Sequence, residues 1–348
     1  MSNGSRAAMI FAIAIILLVL VASLSGCSNG ETESAAPSVV RLGYFPNVTH
    51  APAILGVTEG YFQEELGDVP LTTNTFNAGT EATEALFSGA IDMTFIGPNP
   101  AINAFAQSNG EAIRIVSGTT SGGAALVVRE GINTPADLAG TKLATPSLGN
   151  TQDVALRAWL ADQGYATTLE GGGDVFILPQ SNAQTLETFR SGDIDGAWVP
   201  EPWTTRLVLE GGGHVLVDEA DLWPEGQFVT THLIVATSFL NEHPDQVRAV
   251  LRGLIRAVDF ANEQPQEAQA AANANIEQIT GKALAPETIS GAWGNLTFTL
   301  DPIASSLRES ADDAIAVGLL EPVDLDGIYA LDILNEILRE EGRPEVSE

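Results

Sequence analysis

Ser88-Gly89-Ala90-Ile91-Asp92, followed by Phe95-Ile96, returns 103 residues later as Ser191-Gly192-Asp193-Ile194-Asp195, followed by Trp198-Val199. Each copy is preceded by a helical stretch carrying a glutamate in register, Glu84 or Glu187. Each stretch follows a polar loop, Asn77-Ala78-Gly79-Thr80 or Gln180-Ser181-Asn182-Ala183. Further upstream, Arg41-Leu42 and Lys142-Leu143 both enter a strand pattern, and Asn47 and Asn150 sit at the same offset in the loops that follow. Chance supplies one such pair; an ordered series predicts two similar α/β lobes.

Outward from the repeat, apolar and β-branched runs predict strands near residues 39–45, 69–76, 91–96, 112–117 and 124–129. The second half continues with 142–145, 174–178, 194–199, 214–217 and 231–237. Helices are predicted between them at 51–66, 80–87, 100–107, 151–163, 183–190 and 203–210. From Pro244 onward the pattern is helical, with residues 247–263 strongly amphipathic. Strands alternating with helices of this length imply βαβ units and mostly parallel sheets flanked by helices.

The chain has 348 residues, enough for about two domains of roughly 150 each. Asp and Glu number 45 against 15 Lys and Arg, a formal charge of −30. A surface so anionic repels phosphate backbones, which excludes a nucleic-acid partner. Lys142 and Lys282 are the only lysines, and the acidic excess suits either a high-salt habitat or an acidic, GC-rich genome. One cysteine, Cys27, excludes an internal disulfide and a cysteine-built zinc site.

Arg6 precedes an apolar run at residues 7–22, short for a membrane span and suited to a signal-peptide core. Leu24-Ser25-Gly26-Cys27 then resembles a bacterial lipobox, whose cysteine becomes lipid-modified and the new N-terminus. Residues 1–26 are therefore expected to be a lipoprotein signal peptide and 27–38 a flexible tether. This predicts an exported protein, lipid-anchored through Cys27 to the outer face of the cytoplasmic membrane.

In open α/β sheets, ligands bind outside the carboxyl ends of the strands. The loops expected there are Pro46-Asn47-Val48-Thr49-His50-Ala51-Pro52, Gly97-Pro98-Asn99-Pro100, Ser121-Gly122-Gly123, Ser147-Leu148-Gly149-Asn150-Thr151-Gln152-Asp153 and Val199-Pro200-Glu201-Pro202-Trp203. They carry hydroxyls, amides, glycines and helix starts, which suit an oxyanion. Taken singly, Thr49, Asn150, Thr151 and Asp153 equally suit helix N-caps.

Gly43-Tyr44-Phe45-Pro46-Asn47-Val48-Thr49-His50-Ala51-Pro52, Ile96-Gly97-Pro98-Asn99-Pro100, Ser191-Gly192-Asp193-Ile194-Asp195 and Trp198-Val199-Pro200-Glu201-Pro202-Trp203 together resemble the substrate-binding lipoproteins of ABC importers in the nitrate/sulfonate/taurine class. The resemblance covers about residues 39 to 340. It implies a two-lobed type II periplasmic-binding-protein fold with two crossover segments, near residues 117–125 and 225–234. Lobe I would comprise 39–120 plus 232–341, and lobe II 121–231. Carried over by motif, the ligand contacts would be Asn47, Thr49, His50, Asn99, Ser121, Gly122, Asn150, Thr151, Gln152, Gln180, Glu201 and Trp203.

The implied function is capture of a small oxyanion, foremost an aliphatic sulfonate, for delivery to an ABC permease and its ATPase. Taurine, nitrate, bicarbonate and a thiamine-pyrimidine precursor stand as alternative ligands, and a monomer is expected. The cleft loops offer no lysine and no obvious arginine; Arg157 reads as a surface or lobe-packing residue. Asp153 and Glu201 leave two readings open. Facing the cleft, they suit an ammonium group such as that of taurine; as capping or lobe-lobe groups, they leave the site to an alkanesulfonate. Trp198, on an apolar strand, reads as core.

Catalytic motifs are missing from the sequence. Of four histidines only His50 falls in a cleft loop, and there is no HExxH, G-x-S-x-G, G-x-G-x-x-G or Walker loop. No metal or cofactor is expected. A biosynthetic enzyme on the same fold, using His50, is the alternative of another class.

Overall fold

The computed structural model describes residues 39–348; the expected signal peptide, Cys27 and the tether lie outside the described residues. The strands in chain order are β1 (Val40–Tyr44), β2 (Leu71–Thr75), β3 (Met93–Ile96), β4 (Ile113–Gly122), β5 (Ala124–Val128), β6 (Lys142–Thr145), β7 (Phe176–Pro179), β8 (Gly196–Pro200), β9 (His214–Asp218), β10 (Val229–Ala236) and β11 (Leu296–Phe298). They form two sheets, ordered β11-β4-β10-β3-β1-β2 and β7-β6-β8-β5-β9. Each sheet with its helices is one lobe of a two-lobed α/β fold.

The repeated Ile-Asp motif has a structural cause. Asp92 Oδ2 accepts from the Arg41 backbone N–H at 2.7 Å, and Asp195 Oδ2 accepts from the Lys142 N–H at 2.8 Å. In return the Asp92 and Asp195 N–H groups donate to the Arg41 and Lys142 carbonyls, both at 2.8 Å. Each aspartate thus ties the chain entering β3 or β8 to the start of the neighbouring parallel strand, β1 or β6. The glycine of each motif, Gly89 or Gly192, makes the preceding turn at φ +70° or +88°, where a Cβ is disfavoured.

The sheets are mixed within the expected, mostly parallel plan: four of six strands in the first sheet and four of five in the second run in one direction. β1 pairs parallel with β2 and β3, and β6 with β7 and β8, but β10 runs antiparallel to β3 and β4, and β5 antiparallel to β8 and β9. The reason is topological. β5 and β10 enter a lobe from the interlobe boundary, so each starts where its neighbours end. The chain passes between sheets at Gly122–Gly123, with φ +83° and +74°, and again between Asp218 and Val229. Phe228 N–H donates to Ser121 Oγ at 3.2 Å, fastening the two crossovers to each other.

Two further expectations are adjusted. The helix predicted over 51–66 is two helices, Ala51–Thr58 and Tyr61–Leu66, parted by Gly60 at φ +77°. The strand predicted to stop at Ser117 continues to Gly122, because β10 pairs along it as far as Ser121.

Each lobe has its own core. In lobe I the helix Pro244–Glu263 buries Val247, Val250, Leu251, Leu254 and Val258, a stripe at helical spacing, against the Ala51–Thr58 helix and Phe62. In lobe II Trp198 is fully buried and meets Trp159 at 5.9 Å between ring centroids, above Leu126, Leu143 and Leu156. Burial of each such side chain stabilises by roughly 1.5–3 kcal/mol. The two cores share no residue, so each lobe is packed separately on its own side of the crossovers.

Candidate functional site

Between the lobes lies an inner cavity of about 40 Å³, lined by Phe45, Asn47, Thr49, His50, Asn77, Ala78, Gly79, Gly97 and Pro100 from lobe I. Pro146, Asn150, Thr151, Gln152, Asn182 and Pro200 line it from lobe II, and Thr230 from the returning crossover. Repeat partners meet here: Asn47 and Asn150, and Gly79 and Asn182, are each 103 residues apart in sequence and share one wall-to-wall space.

Three helices begin at this cavity: Gly79–Phe87, Thr151–Asp162 and Asn182–Ser191. The first turns of a helix carry N–H groups without intrahelical partners and the positive end of the helix dipole. Asn150 caps the second helix, accepting from the Asp153 N–H at 3.0 Å, while its own amide donates to Gln152 Oε1 at 3.2 Å. Cap and lining residue are here one side chain, and Gln152 is left with its amide N–H groups free to donate.

No Asp, Glu, Lys or Arg among the described residues lines the inner cavity. His50 is buried, and burial pushes its imidazole down to about 3, so it is neutral at ordinary pH. Its ring stacks on Phe45 with centroids 4.4 Å apart, and its Nδ1 has no hydrogen-bond partner in the protein. Asn182 Oδ1 is likewise buried without a partner. A site of neutral amides, hydroxyls and helix starts can hold an oxyanion without a counter-charge, because hydrogen bonds to a charged acceptor strengthen in a dry site.

Of the residues expected from sequence, the structure brings Asn47, Thr49, His50, Asn150, Thr151 and Gln152 to this cavity. It places the others elsewhere. Asn99 is buried under the helix Ala304–Ala316 and donates to the Ser310 carbonyl at 3.0 Å. Gln180 turns to Thr188 Oγ1 at 2.7 Å. Ser121 and Gly122 belong to the crossover fastening, where Gly122 O accepts from Thr230 Oγ1. Glu201 is buried, accepting from Asn295 Nδ2 at 2.7 Å and Thr205 Oγ1 at 2.9 Å, and desolvation pushes its carboxyl up. Trp203 faces a second space, and its Nε1 donates across the gap to Asn47 Oδ1 at 3.1 Å.

The two carboxylates left open by sequence both have structural partners. Asp153 pairs with Arg157 at 2.9 Å, both buried, and accepts from Thr145 Oγ1 at 2.7 Å and from Gly149 N–H at 3.0 Å. Neither Asp153 nor Glu201 lines the cavity.

Sequence reasoning missed Asn77, Ala78, Gly79, Gly97, Pro100, Pro146, Asn182, Pro200 and Thr230 as lining residues. For Asn182 the signal was present: its polar loop is the repeat partner of Asn77-Ala78-Gly79-Thr80. Thr230 carried none, since only the returning crossover brings it to the cavity.

The inner cavity adjoins an outer chamber of about 700 Å³ through the shared walls Asn47, Asn77 and Asn182. Trp203, Arg206 and Lys282 line that chamber. The expectation of a cleft without lysine or arginine therefore holds for the inner cavity and fails for its mouth. Arg206 lies inside a helix, and Lys282 follows a C-terminal helix rather than a strand-end loop.

Comparison with known proteins gives a model of the NMT1-like family matching residues 33–276. The taurine-binding periplasmic protein of Escherichia coli (strain K12) is 28% identical over 204 residues, covering 59% of this chain and 61% of that protein. The putative aliphatic sulfonates-binding protein of the same organism is 28% identical over 218 residues, covering 62% and 65%. The chain thus spans under two thirds of the length of these relatives. Among solved structures, the alkanesulfonate-binding protein SsuA from Xanthomonas axonopodis pv. citri, bound to MOPS, superimposes with a TM-score of 0.71 at 21% identity, covering 85% of this chain and 99% of that one. That likeness establishes the fold.

Proposed function

Because the chain belongs to the NMT1-like family, we propose that it is the solute-binding component of an ABC importer, capturing a small oxyanion, foremost an aliphatic sulfonate, between its lobes. The observation that carries this is the inner cavity itself: three helix N-termini and neutral donors from both lobes around one small space, with no charged side chain among its walls. The names of the two relatives, one taurine-binding and one assigned to aliphatic sulfonates, support the same chemistry.

The mechanism follows from where the donors sit. A ligand touching Asn47, Thr49 and Gly79 on one lobe and Thr151, Gln152 and Asn182 on the other meets all of them only when the lobes are closed. Its differential affinity then favours the closed form, which a permease with its ATPase would recognise. Six such groups, each contributing on the order of 1 kcal/mol, correspond to capture at roughly tens of micromolar. The protein would act as a monomer, exported and held to the outer face of the cytoplasmic membrane by a lipid on Cys27. Nitrate, bicarbonate and a thiamine-pyrimidine precursor are the competing ligands. Taurine competes as well: no carboxylate lines the inner cavity, but Glu81 and Glu210 line the adjoining chamber, where its ammonium would lie.

A thermal-shift screen of residues 28–348 in high salt tests this with alkanesulfonates, taurine, nitrate, bicarbonate and the pyrimidine precursor. A ligand at 100 times its dissociation constant stabilises by about 2.7 kcal/mol. Stabilisation by sulfonates is expected; stabilisation only by the pyrimidine would replace the substrate class.

A further inference from the structure

The outer chamber is far larger than the inner cavity, about 700 against 40 Å³, and the two share the walls Asn47, Asn77 and Asn182. An oxyanion head in the inner cavity has room there for few atoms beyond itself. Its substituent must then project past those asparagines into the chamber. Phe76, Trp203, Ile276 and Leu284 give that chamber apolar surface against which a hydrocarbon chain loses water.

The charges in the chamber are unequally occupied. Arg206 Nε lies 2.6 Å from Glu210 Oε1, and the guanidinium covers the Trp203 ring at 4.6 Å from its centroid. Glu81 accepts from the Asn77 backbone N–H at 3.1 Å. Lys282 is different: it is exposed and has no ion-pair partner within 4.0 Å among the described residues. After Arg206, it adds only a secondary contribution to holding the Glu210 carboxyl below its ordinary value. In a chain of charge −30 with two lysines, one lines the chamber that adjoins the oxyanion cavity, its ammonium in no close ion pair among the described residues.

Resting on the proposal that the inner cavity holds a sulfonate head, we infer that the outer chamber is a tail subsite selecting sulfonates with a second, distal anionic group, with Lys282 as its partner. The ligand class is then an extended sulfonate ending in a carboxylate or a second sulfonate. The asparagines at the junction orient the head, the apolar wall takes the chain, and the ammonium meets the far end.

Isothermal titration of the wild type and of Lys282→Met tests this with three probes: methanesulfonate, hexanesulfonate, and a hexanesulfonate carrying a terminal carboxylate. In the wild type, affinity should rise with the chain and rise again by about two- to fivefold with the carboxylate, the range of a solvent-exposed ion pair. Lys282→Met should abolish the carboxylate gain while leaving hexanesulfonate unchanged. Lys282 is exposed, so the variant keeps the fold, and its unfolding midpoint checks this. Equal affinity for methanesulfonate and both longer probes would overturn the tail subsite. A carboxylate gain that survives in Lys282→Met would overturn the role of the lysine. If no sulfonate binds, methanesulfonate included, the head assignment fails first and the subsite with it.

Discussion

Trp203 Nε1 donates to Asn47 Oδ1 at 3.1 Å, and the bond joins the two lobes at the rim where the inner cavity meets the outer chamber. It does more than close a gap. By occupying Asn47 Oδ1 it turns the amide so that the N–H groups remain for a ligand, which suits an anion.

Trp203→Phe keeps the apolar wall and removes the donor. Affinity for a sulfonate should fall about two- to tenfold, the range of one neutral hydrogen bond, with little change in the unfolding midpoint of the free protein. Titration calorimetry measures it; unchanged affinity would mean that the bond contributes nothing to closure.

Gly97 is a glycine for packing, not for backbone reasons, since its φ of −71° is open to any residue. A Cβ built there would stand 2.6 Å from Thr151 Oγ1, across the interlobe contact. Threonine has little χ1 freedom with which to yield, and overpacking of this kind costs about 1–3 kcal/mol. Because the clash exists only when the lobes meet, Gly97→Ala should weaken ligand binding about tenfold or more and leave the unliganded protein as stable as before. Small-angle scattering with saturating ligand should show a more open particle. A variant that closes and binds normally would show that the contact has slack.

Glu219 is buried beside the crossover, and desolvation pushes its carboxyl up to about 7 even though Trp198 Nε1 donates to it at 2.7 Å. Below about pH 4.5 the group is protonated in both folded and unfolded chains. Between about 4.5 and 7 the unfolded chain releases the proton and the folded one keeps it, so stability falls as pH rises, and above about 7 the loss is complete. The loss is on the order of 3 kcal/mol at most. Glu219→Gln keeps an acceptor for the indole and removes the titration. It should therefore gain stability over wild type at about pH 8 and lose that advantage near pH 4. Denaturant unfolding at both values decides it; a pH-independent difference would exclude Glu219 as the source.

The repeat made most of the fold legible. Ser88-Gly89-Ala90-Ile91-Asp92 and its partner at 191–195 are local turn-and-strand signals, and the aspartates bond to strands whose own starts, Arg41 and Lys142, were visible at the same spacing. The site was legible only where a lining residue is also a helix start. Asn47, Asn150 and Thr151 sit at such starts, and their residue types suit caps and anions for one physical reason, a short polar side chain beside free N–H groups.

Asn99 shows why the rest was hidden. It occupies the same kind of loop as Asn47, yet its amide turns away to the Ser310 carbonyl, on a helix 211 residues further along the chain. Nothing near Asn99 in sequence announces that partner. The same holds for Glu201, claimed by Asn295 from 94 residues away, whereas Asp153 is claimed locally, by Arg157 one helical turn on and by Thr145. A buried carboxylate must find donors, but which donors depends on what the fold brings within 3 Å.

By itself the sequence determined the two α/β lobes, the absence of catalytic and nucleic-acid motifs, and the neutral, donor-rich character of the loops between the lobes, because periodicity, turn chemistry and charge are local or summed properties of the chain. Tertiary structure alone decided which of those donors face one cavity, that both open carboxylates are structural, and that Lys282 and Arg206 stand at the mouth. Those outcomes depend on contacts between residues from Asn47 to Asn295. The direction of a polar side chain is set by whichever partner a distant segment presents, and that is a property of the assembled chain.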